Sequence, residues 1–261
     1  MFQTSVLVSG SKGNSVLVRT ENSALLLDAG VSAKKLFAAM ETLGVSRHEI
    51  KAIIVSHEHS DHTRSAGALS RLLKVPIYLN EETHEYCAHK LGSLSVPTCF
   101  FETGESFYVG DIVVHPFSSS HDAADSCNFT FSKDDCSDLK LGVAMDLGFP
   151  TQLCIAKLKN CSSLVLESNH DERMLMEGPY DWPLKQRIKS TRGHLSNIQA
   201  VGVVSQVLHY ELKHIILAHL SEINNDPALA YETMQNYLTS VRSDAKLFVA
   251  SQYQNTPLFS I

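Results

Sequence analysis

The chain opens with three short apolar runs, TSVLVSG (4–10), SVLVRT (15–20) and ALLLDAG (24–30), separated by turns of glycine, asparagine and serine. Short β-type runs cut by turn-forming residues predict an antiparallel meander of strands. The period then changes. SAKKLFAAMETL (32–43) carries helical spacing behind Ser32, a suitable N-cap. A strand at 52–56, a helix at 63–74, a strand at 76–79 and a helix at 82–91 follow on the same criteria. From 98 to 147 the β pattern returns in TCFF, SFYVG, IVVHPF, NFTF and LKLGVAMDLG. The last third alternates again. A helix at 150–159 precedes strand SSLVLES (162–168), then helices at 170–177 and 181–189. A long helix at 195–209, strand HIILAHL (214–220), a helix at 227–241 and strand KLFVA (246–250) complete the pattern.

The pattern thus has two halves, each β-rich first and helical later, with no linker, low-complexity tract or sequence period. This predicts two sheets packed face to face with helices outside, in one domain spanning residues 1–261. A hydrophobic content of 44% over 261 residues supports a sizeable core and excludes general disorder. The net charge of −6 excludes a broadly polyanion-binding surface, so nucleic-acid contact would need a local basic patch or bound metal. MFQTSVLVSGSKGNS lacks the basic and continuous apolar segments of a signal peptide. No apolar run approaches the roughly 18 residues of a membrane span. The six cysteines show no C-x-x-C pairing. A cytoplasmic protein with reduced thiols and no membrane contact is expected.

Chemistry enters at VSHEHSDHTRSAG (55–67), directly after the apolar run AIIV. Stability gives no reason to gather three imidazoles and two carboxylates between His57 and His62. Side-chain alternation lets His57 and His59 aim one way, and a turn near Asp61 would send Asp61 and His62 another. One segment would then serve two adjacent centres, for which metal ions are the natural occupants of imidazole nitrogen and carboxylate oxygen. Asp28, His121, Asp146 and His219 stand at or just beyond the ends of other apolar runs. A lone strand-end histidine is ordinarily structural; the repeated placement is what points to a site. His48, His84, His89, His115, His209 and His214 lie within or beside element patterns and read as structural or solvated.

HEHSDH matches the H-x-H-x-D-H signature of the metallo-β-lactamase superfamily, and the chain resembles that family over nearly its whole length. The resemblance implies an α/β fold, a four-layer αβ/βα sandwich with a binuclear metal site at one edge. It places His57, His59 and His121 on one metal, Asp61, His62 and His219 on the other, and Asp146 between them. Asp28 would hydrogen-bond a ligand histidine and fix its tautomer. Within the superfamily, LVLESNHDERML (164–175), RGHLSN (192–197) and LAHLSEINND (217–226) resemble the YycJ/WalJ-type branch, and more loosely nucleases such as ribonuclease Z. That implies a 5′-to-3′ exonuclease acting on DNA in preference to RNA, by metal-activated hydroxide attack. The cofactors would be two divalent ions, zinc or manganese, with iron also compatible.

His194 precedes the predicted helix 195–209, whose N-terminus would attract an anion. Beside it, LKQRIKSTR supplies Lys185, Arg187, Lys189 and Arg192, either a solvated helix face or a phosphate-backbone contact. The resemblance implies that Glu167 supports His194 as the acid that protonates the leaving oxygen, while Asp61 orients the attacking group. The plainer reading of Glu167 is a cap for the following helix, and His170 is either a cap neighbour or a phosphate contact. SGSKGNS (9–15) is a flexible turn, or with Asn14 offers backbone amides to an anion. No inserted clamp domain is visible between Asp146 and His194, so further substrate contacts are modest or come from a homodimer. The rivals are an RNA-directed nuclease, a hydrolase of a thioester or cyclic phosphodiester, and a non-catalytic regulator that keeps its metals. A complete ligand set weighs against the last.

Overall fold

The computed structural model describes residues 1–261, the side chain of Ser137 excepted. Strands β1 (Phe2–Val8), β2 (Ser15–Thr20) and β3 (Ala24–Leu27) form the expected antiparallel meander. Strands β4 (Ile50–Ile54), β5 (Ile77–Leu79) and β6 (Cys99–Phe100) then add in parallel. In the second sheet β7 (Phe107–Val109), β8 (Ile112–Ser118), β9 (Cys127–Lys133) and β10 (Cys136–Ala144) are antiparallel. To these β11 (Ser163–Glu167), β12 (His214–Ala218) and β13 (Lys246–Val249) add in parallel. The final strand β14 (Phe259–Ser260) returns to the first sheet beside β1.

The core follows from strand alternation. Leu25 and Leu27 of β3, with Ile216 and Ala218 of β12, point between the sheets and pack with Phe129, Phe131 and Val143. Leu26 faces outward against Leu36 and Met40 of α1 (Ala33–Thr42), beyond which α2 (Ser60–Thr63), α3 (Ala66–Leu73) and α4 (Glu81–Leu91) follow. On the other side Ile215 and Leu217 pack against helices α5 (Gln152–Leu158), α8 (Asn197–Val207) and α9 (Pro227–Ser240). Two further helices, α6 (Glu172–Glu177) and α7 (Trp182–Lys189), lie between β11 and α8. Strands buried on both faces read as unbroken apolar runs, which is why the parallel strands were so visible in sequence. The result is the expected helix–sheet–sheet–helix sandwich.

Two expectations change, and one strand is added. The predicted helix 63–74 is α3 alone, which starts only after Ser65, where φ is −115° and ψ is 2°; the short α2 precedes it. The predicted strand 24–30 stops at Leu27 because Asp28 has φ 64°. Strand β14 was not anticipated; its two residues are too few to show a period. Among the described residues no helix is long and apolar enough to cross a membrane.

Candidate metal centre

The C-terminal ends of β3, β4, β10, β11 and β12 meet at one edge, the usual place for a site in parallel sheets. Asp28 follows β3, the segment 57–62 follows β4, and His121 lies beyond β8. Asp146 follows β10, Glu167 ends β11, and His219 follows β12. Asp28, Asp146 and His219 have φ of 64°, 51° and 55°. Left-handed backbone costs an L-residue about 1–2 kcal/mol, so these turns are strained positions held by their surroundings. They reverse the chain abruptly and leave the side chains at the sheet edge.

Seven predicted ligands come together in overlapping clusters. His57, His59 and His121 form one; Asp61, His62 and His219 form another; His57, His62 and Asp146 join them, all ligand atoms in each lying within 4.8 Å. The His59 Nδ1 and His121 Nε2 nitrogens are 3.3 Å apart. Two nitrogens on one tetrahedral zinc stand about 3.4 Å apart, so this spacing fits a shared ion. Strand pleating does not align His57 with His59, as β4 ends at Ile54. Instead His59 occupies the N-cap of α2 without using its side chain as a cap, which leaves that imidazole for the cluster.

Hydrogen bonding fixes which nitrogen each imidazole offers. His62 Nδ1 donates to Asp28 Oδ2 at 2.7 Å. Ser56 gives its N–H to Asp28 Oδ1 and its hydroxyl to Oδ2, so its oxygen accepts from His57 Nδ1 at 2.9 Å. His121 Nδ1 faces the Gly193 carbonyl at 3.2 Å, and His219 Nδ1 donates to Glu167 Oε1 at 2.8 Å. Each of these four rings therefore turns Nε2 to the centre. Among the described residues, His57 Nε2 and His219 Nε2 are buried with no hydrogen-bond partner, and Asp146 Oδ2 lies 2.9 Å from His62 Nε2. Buried polar atoms left this way are costly unless a ligand satisfies them. The donor set therefore fits divalent metal.

Protonation follows the same pattern. Burial opposes charge on His62, but Asp28, Asp146 and Asp61 hold its pKa well above the usual value. Burial likewise opposes charge on His219, yet Asp146, Asp61 and Glu167 raise it to about 10. Burial would raise Asp146, but His219 and His62 hold it well down. His57 is lowered, first by burial and then by His62. Protons on His62 and His219 offset carboxylate charge that a cation would otherwise offset, so a divalent ion bound here would displace them and would be held less tightly in acid.

The Asp28 carboxylate is fully buried and, among the described residues, accepts only from Ser56 and His62. Asp28→Asn turns an amide toward one of those donors. Divalent-metal affinity is expected to fall about 10–100-fold, read by competition with a chromophoric chelator.

Glu167 does more than sequence suggested. Its fully buried carboxylate accepts from His194 Nδ1 at 2.8 Å as well as from His219, and also from the N–H groups of Asp146, Leu147 and Leu195. Burial would raise its pKa, but His194 and His219 hold it at about 2. With both oxygens engaged by N–H groups, Glu167 is not itself disposed to bind metal. His194 is not a helix-terminal residue, because α8 starts at Asn197. Ser196 and Gln199 cap that terminus in a reciprocal box, and Asn197 N–H bonds the His170 carbonyl. The expected anion site at this helix end is therefore not formed.

The basic run is partly tied down. Arg187 Nε pairs with Asp122, Arg192 Nε with the His121 carbonyl, and Lys185 Nζ with the Met176 carbonyl, while Lys189 is exposed. Asn14 cannot meet a phosphate, being fully buried with its amide oxygen bonded to Ser9 and Gly10. Its Nδ2 lies 3.5 Å from Asp61 Oδ2, and its N–H donates to the Asp61 carbonyl at 2.8 Å. A Cβ on Gly30 would fall 1.6 Å from the Asp61 carbonyl oxygen, so only glycine lets these loops pack. His170 is buried with Nδ1 unpartnered among the described residues. His115, His209 and His214 bond Ser106, the Cys161 carbonyl and Ser163, as structural histidines do.

Sequence reasoning missed Ser56 and the Gly193 carbonyl. Ser56 adjoins His57 and was open to discovery; a backbone carbonyl has no sequence signature.

Residues 8–99 match the family model described as the metallo-beta-lactamase superfamily. The exodeoxyribonuclease YycJ of Bacillus anthracis is 38% identical over 235 residues, covering 90% of this chain and 88% of that protein. The exodeoxyribonuclease WalJ of Streptococcus pneumoniae serotype 2 is 37% identical over 267 residues, covering 100% and 98%. Among solved structures, the metallo-β-lactamase-fold protein YhfI of Bacillus subtilis has a TM-score of 0.73 at 17% identity, covering 98% of this chain and 99% of that one. Human tRNase Z, short form, has a TM-score of 0.66 at 15% identity, covering 97% and 98%. These two likenesses concern the fold. By sequence, the chain belongs to the YycJ/WalJ family of the metallo-β-lactamase superfamily.

Proposed function

We propose that this protein is a metal-dependent exodeoxyribonuclease working from the 5′ end, with two divalent ions at the strand-end cluster. His57, His59 and His121 would hold one ion, Asp61, His62 and His219 the other, with Asp146 between them. Zinc or manganese suits a donor set of imidazoles and carboxylates without thiolate. Bound there, the ions lower the pKa of water and offset charge on a phosphodiester. Asp61, steadied by Asn14, orients the attacking water and accepts its proton. His194 holds its Nδ1 proton toward Glu167 and offers Nε2 to the leaving oxygen. Six free thiols fit a reducing cytoplasm.

The observation that carries this reading is His194. It stands outside the two ligand sets, yet its ring lies 5.2 Å from that of His121 and 5.1 Å from that of His219, with 21% of its side chain exposed. An imidazole that keeps some exposure beside this cluster is placed to serve a substrate. The similarity to proteins named exodeoxyribonucleases supports DNA as that substrate.

The reading is tested by timed digestion of end-labelled single- and double-stranded DNA and RNA with Mn²⁺ or Zn²⁺. Mononucleotide release from 5′-labelled DNA, ahead of RNA, is expected. A ladder of internal cuts, or intact DNA beside a cleaved thioester or cyclic phosphodiester, would refute it.

A further inference from the structure

Beside the metal cluster lies a cavity of about 170 Å³, bounded by His194 on one side and by Leu184 and Ile188 of α7 on the other. The cavity opens to solvent and is of a scale to take the sugar–phosphate end of a strand. Its rim carries Arg187, and its lining includes Asn169, Tyr180 and Ser221. Asp122 grips the Arg187 guanidinium through Nε. Among the described residues neither terminal nitrogen of Arg187 has a partner, so two N–H₂ groups face outward from a fixed fork. Ser221 Oγ accepts the Asn224 N–H at 3.1 Å, which leaves its own proton to donate.

We propose that this cavity seats the terminal nucleotide of the strand, with its 5′-phosphate against Arg187. The proposal rests on the nuclease reading and on His194 as proton donor, and it adds where the strand ends. His194 serves the leaving oxygen, so the cavity is on the leaving-group side. When O3′ leaves, the nucleotide on that side is the 5′-terminal one. Water oxygen bonds to phosphorus, the P–O3′ bond breaks, and O3′ takes a proton from His194. The water's proton passes to Asp61 and on to solvent, from which His194 is recharged. The shortened strand keeps the phosphate as its new 5′ end. Every cycle after the first therefore presents a 5′-phosphate, the group this rim is built to take.

The test compares first-nucleotide release from single-stranded DNA 20-mers bearing a 5′-phosphate or a 5′-hydroxyl, both labelled at the 3′ end. The native protein is expected to favour the phosphate by about tenfold or more. In Arg187→Ala the ratio should fall close to one, and in Arg187→Lys it should lie between. Arg187 has 59% of its side chain exposed, so these variants will fold. Equal rates in the native protein, or an unchanged ratio in Arg187→Ala, would overturn the proposal. Degradation only from the 3′ end would overturn it together with the 5′ polarity, leaving metal-dependent DNA cleavage; no DNA cleavage at all would remove every part of the nuclease reading.

Discussion

Glu167→Gln is expected to lower kcat by about 10²-fold or more and to weaken metal binding by about 10–100-fold, although neither effect involves a direct metal contact. The reason is the shared carboxylate. Glu167 Oε1 accepts from His194 and His219, both at 2.8 Å, and its two oxygens also take three backbone N–H groups. Glutamine keeps the shape but turns an NH₂ group toward donors. At least one imidazole must lose its partner, and with it the tautomer that leaves Nε2 free. Truncation is worse. Glu167→Ala would strand buried donors and cost about 3–5 kcal/mol of stability, read as a lower denaturation midpoint. Steady-state kinetics and metal analysis on Glu167→Gln check the first effect; wild-type values for both would remove Glu167 from its role.

His194→Ala should keep its metal and lose about 10²–10⁴-fold in kcat on DNA. His194 bonds Glu167 through Nδ1; it also clusters with Asp146, Glu167 and His219, but it belongs to neither proposed ligand set, so its removal leaves those ligands in place. A general acid matters only while the leaving oxygen needs a proton. A p-nitrophenyl phosphodiester of thymidine expels a stable anion, so wild type and His194→Ala should cleave it at similar rates. An equal loss on both substrates would assign His194 a structural role.

Much of the candidate centre was legible because its residues follow apolar strands. HEHSDH lies in one short segment, and Asp28, Asp146 and His219 each end a run whose period is unmistakable. The sandwich was legible for the same reason: parallel strands buried on both faces leave no polar interruption until the chain turns. What stayed hidden depends on approach through space. Glu167 stands 52 residues from His219, and nothing local shows that one carboxylate serves both it and His194. Asn14 looked like a loop amide free for anions, but packing of Gly30 against the Asp61 carbonyl buries it. Ser196 reads as well as an N-cap as His194 reads as a helix neighbour, and the reciprocal bond with Gln199 decided the boundary.

The pair of ions is tested most directly by anomalous diffraction from crystals grown with Mn²⁺, recorded on the native protein. Two peaks per chain are expected, one at His57, His59 and His121 and the other at Asp61, His62 and His219, with Asp146 reaching both. A single peak, or peaks away from these side chains, would contradict the two-ion centre.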